Sequence, residues 1–332
     1  MIDKHAAPIN PDASKEAKEL LSFLYEINGK YILSAHHNKI AAPNFYNTKV
    51  KELIDDYPVI WGSDFSYSFG SKDPDSARQV MIDTAKEVYK KGQIITLMWH
   101  ECFPSKSDSC RRSSIWVWDK VVSQEKWDSL TIPGTRLNNL WRAQADNVAK
   151  YLKQLRDSHI PVLWRPFHEM NGVWFWWCRH PGKNGFAKLW KMMYDYFTNY
   201  HKLNNLIWVW NTNAPRQIPG DEAYNYKDYF PGINYVDVLA ADVYHNDYKQ
   251  SHHDDLLKLA QGKPIALGEV GQMPTPEVLN KQPKWTWFMG WAEFLTTANI
   301  TDSVKNLYNS PRALTLKEVK RTKDGTYKLN FK

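Results

Sequence analysis

Eight short apolar runs, separated by stretches with helical periodicity, restrict this 332-residue chain to very few architectures. The runs span 31–36, 59–64, 93–100, 161–169, 206–211, 236–244, 264–269 and 285–291. They are apolar throughout rather than alternating, which is the mark of strands covered on both faces and so of a parallel sheet. The clearest intervening segment is 76–91, where Ala77, Val80, Met81, Thr84, Ala85, Val88 and Tyr89 recur at helical spacing before Gly92 as a stop; 136–158 and 184–201 repeat the device. Eight strand–helix units predict an α/β fold, a closed (β/α)8 TIM barrel in a single domain, which takes roughly 250 residues plus insertions. An open doubly wound sheet is the alternative. It would carry a glycine-rich turn after the first strand, whereas this chain has Ser34-Ala35-His36-His37-Asn38. Residues 1–20 read as a leader and 321–332 as a peripheral tail, with a hairpin around Asp324-Gly325.

In a parallel barrel the residues that close the strands share one mouth, so His36, Asp64, His100, Glu169, Asn211, Tyr244, Glu269 and Trp291 are expected to converge. Two of these are glutamates at the ends of apolar runs, where a carboxylate is costly unless it is paired or used. Glycosidic bond cleavage uses such a pair, one carboxyl protonated and the other ionised. Glu169 precedes Met170-Asn171-Gly172-Val173-Trp174-Phe175-Trp176-Trp177, an apolar wall that would raise its pKa as an acid requires. A structural salt bridge between Glu169 and Arg165 is the competing view. Glu269 lies in Gly268-Glu269-Val270-Gly271, where small neighbours would admit a sugar ring and Tyr244 or Arg165 would hold the carboxylate ionised. Asp242 and Tyr244 alternate along the sixth run, so both face one side and one of them could position Glu269.

The 16 tryptophans are bunched near the ends of the runs, and indole faces stack on the C–H faces of sugars. About half are expected to fill the core. Trp116, Trp174, Trp210 and Trp291, with His100, His168, Asn211, Asp242 and Tyr244, are the expected substrate contacts. The irregular stretch 101–133, carrying Cys102, Cys110, Trp116, Trp118 and Trp127, is expected to wall part of the cleft. Cys102 and Cys110 are near enough either to bridge or to remain free thiols, and Cys178 stays unpaired. His100 and His168 with Asp64 and Glu269 make a weak metal set, since no His-x-x-x-His pair occurs.

The formal charge of +7 is scattered without a basic block, which argues against a nucleic-acid partner, and no apolar stretch is long enough for a membrane span. The first residues lack the apolar stretch of a signal peptide; a polymeric substrate that cannot enter cells favours an extracellular protein whose signal has been removed. A monomer is expected.

The segments Arg165-Pro166-Phe167-His168-Glu169-Met170-Asn171-Gly172 with Trp174-Phe175-Trp176-Trp177, Gly268-Glu269-Val270-Gly271, Trp208-Val209-Trp210-Asn211 and Asp242-Val243-Tyr244 together resemble glycoside hydrolase family 26. The resemblance runs from about 34 to 291, although Ala35 stands where the family usually has glycine. It implies a (β/α)8 barrel that hydrolyses β-1,4-mannosidic bonds of mannan, glucomannan or galactomannan with retention, Glu169 as acid/base and Glu269 as nucleophile. It also implies that His100, His168, Trp174, Tyr244 and Trp291 line the sugar sites, and that no cofactor is needed. Cleavage of mixed-linkage β-glucan or β-1,3-xylan on the same scaffold, or sugar binding without cleavage, are the alternatives.

Overall fold

The computed structural model describes residues 7–66, 75–104, 112–117 and 121–331. Strands β1 (Ile32–His37), β2 (Ile60–Asp64), β3 (Ile94–Trp99), β4 (Val162–Pro166), β5 (Leu206–Asn213), β6 (Val238–Val243), β7 (Ile265–Val270) and β8 (Trp285–Gly290) pair in sequence order. Every pairing is parallel, and β1 meets both β2 and β8, so the sheet closes. The expected barrel is therefore the one observed. Around it run α2 (Phe45–Ile54), α3 (Asp75–Lys90), α4 (Gln124–Thr131), α5 (Arg136–Asp157), α6 (Phe186–Asp195) and α7 (Gln250–Ala260), while α1 (Lys15–Ile27) precedes β1.

Two apolar layers explain why the strands do not alternate with polar residues. On β5, Trp208 and Trp210 pack outward with the helices, Trp208 meeting Trp190 and Tyr194 of α6 at ring-centroid distances of 5.7 and 5.1 Å. Ile207 and Val209 point into the barrel and join Leu33, Ile60, Ile94, Leu163 and Ala240 in the inner cluster. Both faces are thus dry, as a parallel sheet requires.

The inner cluster continues into α1, whose Ala17, Leu20, Leu21 and Leu24 plug the end of the barrel opposite the functional residues. Ser14 caps this helix by accepting from the Ala17 N–H at 3.2 Å. Residues 1–20 are thus not merely a leader, since the last of them are core. The tail is a hairpin as expected, Val319–Arg321 against Tyr327–Leu329, but Tyr327 is buried and stacks on Phe23 of α1 at 5.4 Å. Hydrophobic demand at the barrel floor recruits both chain ends.

Two elements differ from expectation. The helix foreseen over 184–201 ends at Asp195 and passes into a π-helical turn, Tyr196–Tyr200. The stretch 101–133 is not structureless either: it holds α4, and Trp116 forms an isolated antiparallel bridge with Phe175. Cys110 and Trp118 lie outside the described residues, whereas Cys178 is a free buried thiol.

Candidate active site

β4 presents Glu169 by ending before it. Strand geometry stops at Pro166, and Phe167 (φ +48°) and Glu169 (φ +54°) both take left-handed backbone, which costs a residue with a side chain roughly 1–2 kcal/mol. Hydrogen bonds offset that cost. The Glu169 N–H donates to the Asn211 carbonyl at 2.8 Å, the Glu169 carbonyl accepts from Gly172 N–H at 2.9 Å and from the Cys178 thiol at 3.3 Å, and Trp177 Nε1 donates to the His168 carbonyl at 2.8 Å. The run read as a strand through 169 is therefore a strand and a strained turn, and the turn carries the carboxyl.

Both Glu169 oxygens accept a bond, Oε2 from Trp174 Nε1 at 2.7 Å and Oε1 from Asn213 Nδ2 at 2.6 Å. Glu269, on β7, accepts from Arg165 Nη2 at 3.2 Å through Oε1 and from the Tyr244 hydroxyl at 2.7 Å through Oε2. Arg165 is thus the partner of Glu269 and not of Glu169, which disposes of the competing salt bridge. Carboxylate oxygens of Glu169, Glu269 and Asp242 lie within 4.8 Å of one another.

This crowding sets the protonation. Burial, and then the charge of Glu269, push Glu169 up to about 7. Burial also raises Glu269, but the Arg165 guanidinium and the Tyr244 hydroxyl oppose it, so Glu269 is the member of the pair best held as an anion. Asp242 is raised well above the carboxylate range by burial and by both glutamates, and rests neutral beneath them. The three carboxyls do not suit a cation. The glutamate oxygens already face N–H and O–H donors, and a guanidinium stands where a metal would need lone pairs.

The walls are aromatic and histidine-rich. A cleft of about 610 Å³ is lined by His100, Trp116, His168, Glu169, Trp174, Phe175, Arg216, Asp221, Tyr244, His245, Glu269, Gln272, Trp291, Phe294, Thr297 and Ala298. His100 is stacked on Trp116 at 5.1 Å and bonded through Nδ1 to Asp64 at 2.7 Å. Burial opposes a proton on His100, but the Asp64 carboxylate prevails and raises its pKa. His168 is held well below the usual imidazole range by burial and by His100, and so is neutral. Trp291 stacks on His37 at 4.1 Å and 11°.

The sequence model of glycosyl hydrolase family 26 matches residues 9–318. The chain belongs to this family. Among its relatives, a mannan endo-1,4-beta-mannosidase of Thermothelomyces thermophilus is 30% identical over 95% of this chain and 64% of its own length. The enzyme of that name from Bacillus subtilis strain 168 is 26% identical over 96% of this chain and 91% of its own. The chain spans between 48% and 64% of four of these curated relatives. Of solved structures, GH26A from Muricauda sp. MAR_2010_75 superposes with a TM-score of 0.88 at 47% identity, covering 94% of this chain and 99% of that one. A beta-mannanase from a termite's symbiotic protist, complexed with gluco-manno-oligosaccharide, gives 0.78 at 28% over 94% and 96%.

Within this family 26 barrel, His100, Trp116, His168, Trp174, Tyr244 and Trp291 all reach the cleft where the sequence expected them. Three expected contacts do not. Trp210 faces the helix layer and packs on Phe230 at 5.2 Å, because alternation along β5 sends it outward. Asn211 and Asp242 do face inward but lie fully buried below the glutamates, where Asn211 accepts from Arg165 at 2.8 Å and donates to Asp242 at 2.7 Å. His36 is also buried away from the cleft, bonded to the Ala292 carbonyl at 3.0 Å. Gly268 makes room for this buried layer and not for a sugar, since a Cβ there would meet Asn211 Oδ1 at 1.8 Å. Sequence reasoning missed Asn213, two residues beyond Asn211 and on the same face of β5. Extending that strand by one period would have found it.

Proposed function

We propose that this chain is a retaining endo-acting β-mannanase that cleaves β-1,4-mannosidic bonds in mannan, glucomannan or galactomannan by double displacement. The observation that carries the reading is the short distance between the carboxyls of Glu169 and Glu269, within 4.8 Å oxygen to oxygen. Retaining glycosidases hold their pair about 5–5.5 Å apart, whereas an inverting pair leaves about 6.5–9.5 Å for a water. In the first step Glu269 attacks the anomeric carbon as the glycosidic C–O bond breaks, and the leaving oxygen takes the proton of Glu169. The resulting ester cancels the charge of Glu269, one of the two causes holding Glu169 high, so the Glu169 pKa falls. The same residue then accepts a proton from water, whose oxygen attacks the anomeric carbon and frees Glu269.

The substrate class rests on the family and on mannanases to which this chain is similar. An aromatic cleft suits neutral sugars. No helix among the described residues is long and apolar enough to cross a membrane; an extracellular, monomeric enzyme working on a polymer is part of the proposal. The test is reducing-sugar release from galactomannan, β-glucan and β-1,3-xylan by wild type, Glu169→Ala and Glu269→Ala, with the anomer of the first product read by NMR. Mannan-selective release with retention, abolished in Glu269→Ala, is expected. An inverted product, or hydrolysis surviving in Glu269→Ala, would overturn the mechanism, and binding without release would favour a lectin-like protein.

A further inference from the structure

The two donors that hold the Glu169 carboxyl are themselves held by one side chain, Arg216, from the loop after β5. Its guanidinium lies over the Trp174 ring, 5.1 Å from the centroid. Its Nη1 donates to Asn213 Oδ1. That second bond fixes which way the Asn213 amide faces, because with Oδ1 on the cation only Nδ2 can point at Glu169; the flipped amide would set two oxygens against each other.

Arg216 is in turn built into its place. Nε donates to the Asp221 carbonyl at 2.9 Å and to Oδ2 at 3.0 Å, and Nη2 donates to Oδ1 at 2.5 Å, a forked pair with little rotational freedom. Paired bonds between Arg216 and Ala223, both 3.0 Å, close the loop, and Tyr224 N–H anchors it to the Asn171 carbonyl at 2.7 Å. His245 Nε2 braces Asp221 Oδ2 from β6's end at 3.0 Å. The Arg216 side chain is only 9% exposed although it borders the cleft.

We propose that Arg216 is a positioning residue for the proton donor, holding Trp174 and Asn213 so that both Glu169 oxygens stay bonded through both halves of the reaction. The proposal rests on Glu169 being the acid/base. Its positive charge also tempers the rise that burial and Glu269 impose on that carboxyl. Removing Arg216 therefore loosens the acid and makes it weaker.

The experiment compares Arg216→Ala, Arg216→Lys and Asp221→Asn with wild type in kcat/KM against pH, on mannohexaose and on a dinitrophenyl β-mannobioside whose leaving group needs no proton. Arg216→Ala is expected to lose on the order of tenfold or more on mannohexaose and far less on the activated glycoside. Its basic limb should move up by about half a pH unit. Arg216→Lys, which keeps the charge without the fork, should restore the limb but not the full rate, and Asp221→Asn should show the smaller loss of the same kind. Equal losses on both substrates with an unmoved limb would make Arg216 a substrate contact or a structural residue and overturn the proposal. Should Arg216→Ala not fold, the other two variants decide by the same measurements. Glu169→Ala run alongside separates the readings: if it still hydrolyses mannohexaose, the acid/base assignment itself fails, whereas its loss beside an unaltered Arg216 limb defeats only the role of Arg216.

Discussion

Glu169 exists at the expense of folding, and the cost depends on pH. Its carboxyl releases a proton near 4.5 in the unfolded chain and at about 7 in the native one. Between those values the native state holds the extra proton, so its contribution to stability falls as pH rises through that window and stays lost above it. At about 1.4 kcal/mol per unit, the contribution amounts to roughly 3 kcal/mol. Glu169→Gln has no proton to lose. Its melting temperature relative to wild type should therefore climb from about pH 4.5 to about pH 7 and level off beyond, whatever constant offset the amide introduces. A difference flat across that range would mean that Glu169 is not buried as the acid. Tyr244→Phe tests the opposite partner. Without the hydroxyl on Oε2 at 2.7 Å, Glu269 should lose kcat by about a hundredfold in steady-state assays on mannan, with the fold intact by circular dichroism.

At the scale of elements, periodicity made the barrel legible and left the site half legible. Eight apolar runs stood out because β1 to β8 are buried on both faces. The glutamates stood out because each interrupts such a run. What periodicity does not encode is depth, so Asn211 and Asp242 read as mouth residues when they lie a layer below. Nor does it mark Arg216, a loop arginine whose value comes entirely from the three residues it touches. The floor was misread for a related reason. The helix α1 looks like an ordinary amphipathic segment until the open inner layer of the barrel gives its apolar face a place to go. Leu20→Ala, at a fully buried position there, should cost about 2–5 kcal/mol in urea unfolding, and Ser14→Ala about 1 kcal/mol. If neither moves the midpoint, α1 is not part of the cooperative unit.

For the whole molecule the informative quantity is a charge of +7 that the neutral substrate proposed above would not use. Among the described residues at the heart of the cleft, Arg165 is set against Glu269 and Arg216 against Asp221, so both of these cations are paired with carboxylates within the protein. On the proposed reading the substrate, mannan, is neutral, and its recognition would depend on aromatic stacking and on hydrogen bonds, neither of which is screened by salt over the distances involved. The kcat/KM on galactomannan should then change by less than about twofold between roughly 50 mM and 500 mM sodium chloride, since surface charges acting across more than a Debye length have no partner on the sugar. A polyanionic substrate would behave otherwise, losing on the order of tenfold or more as its counterions compete. Steep salt dependence would place the working substrate among charged polysaccharides, and the mannan reading would fall even with the two glutamates left in their roles.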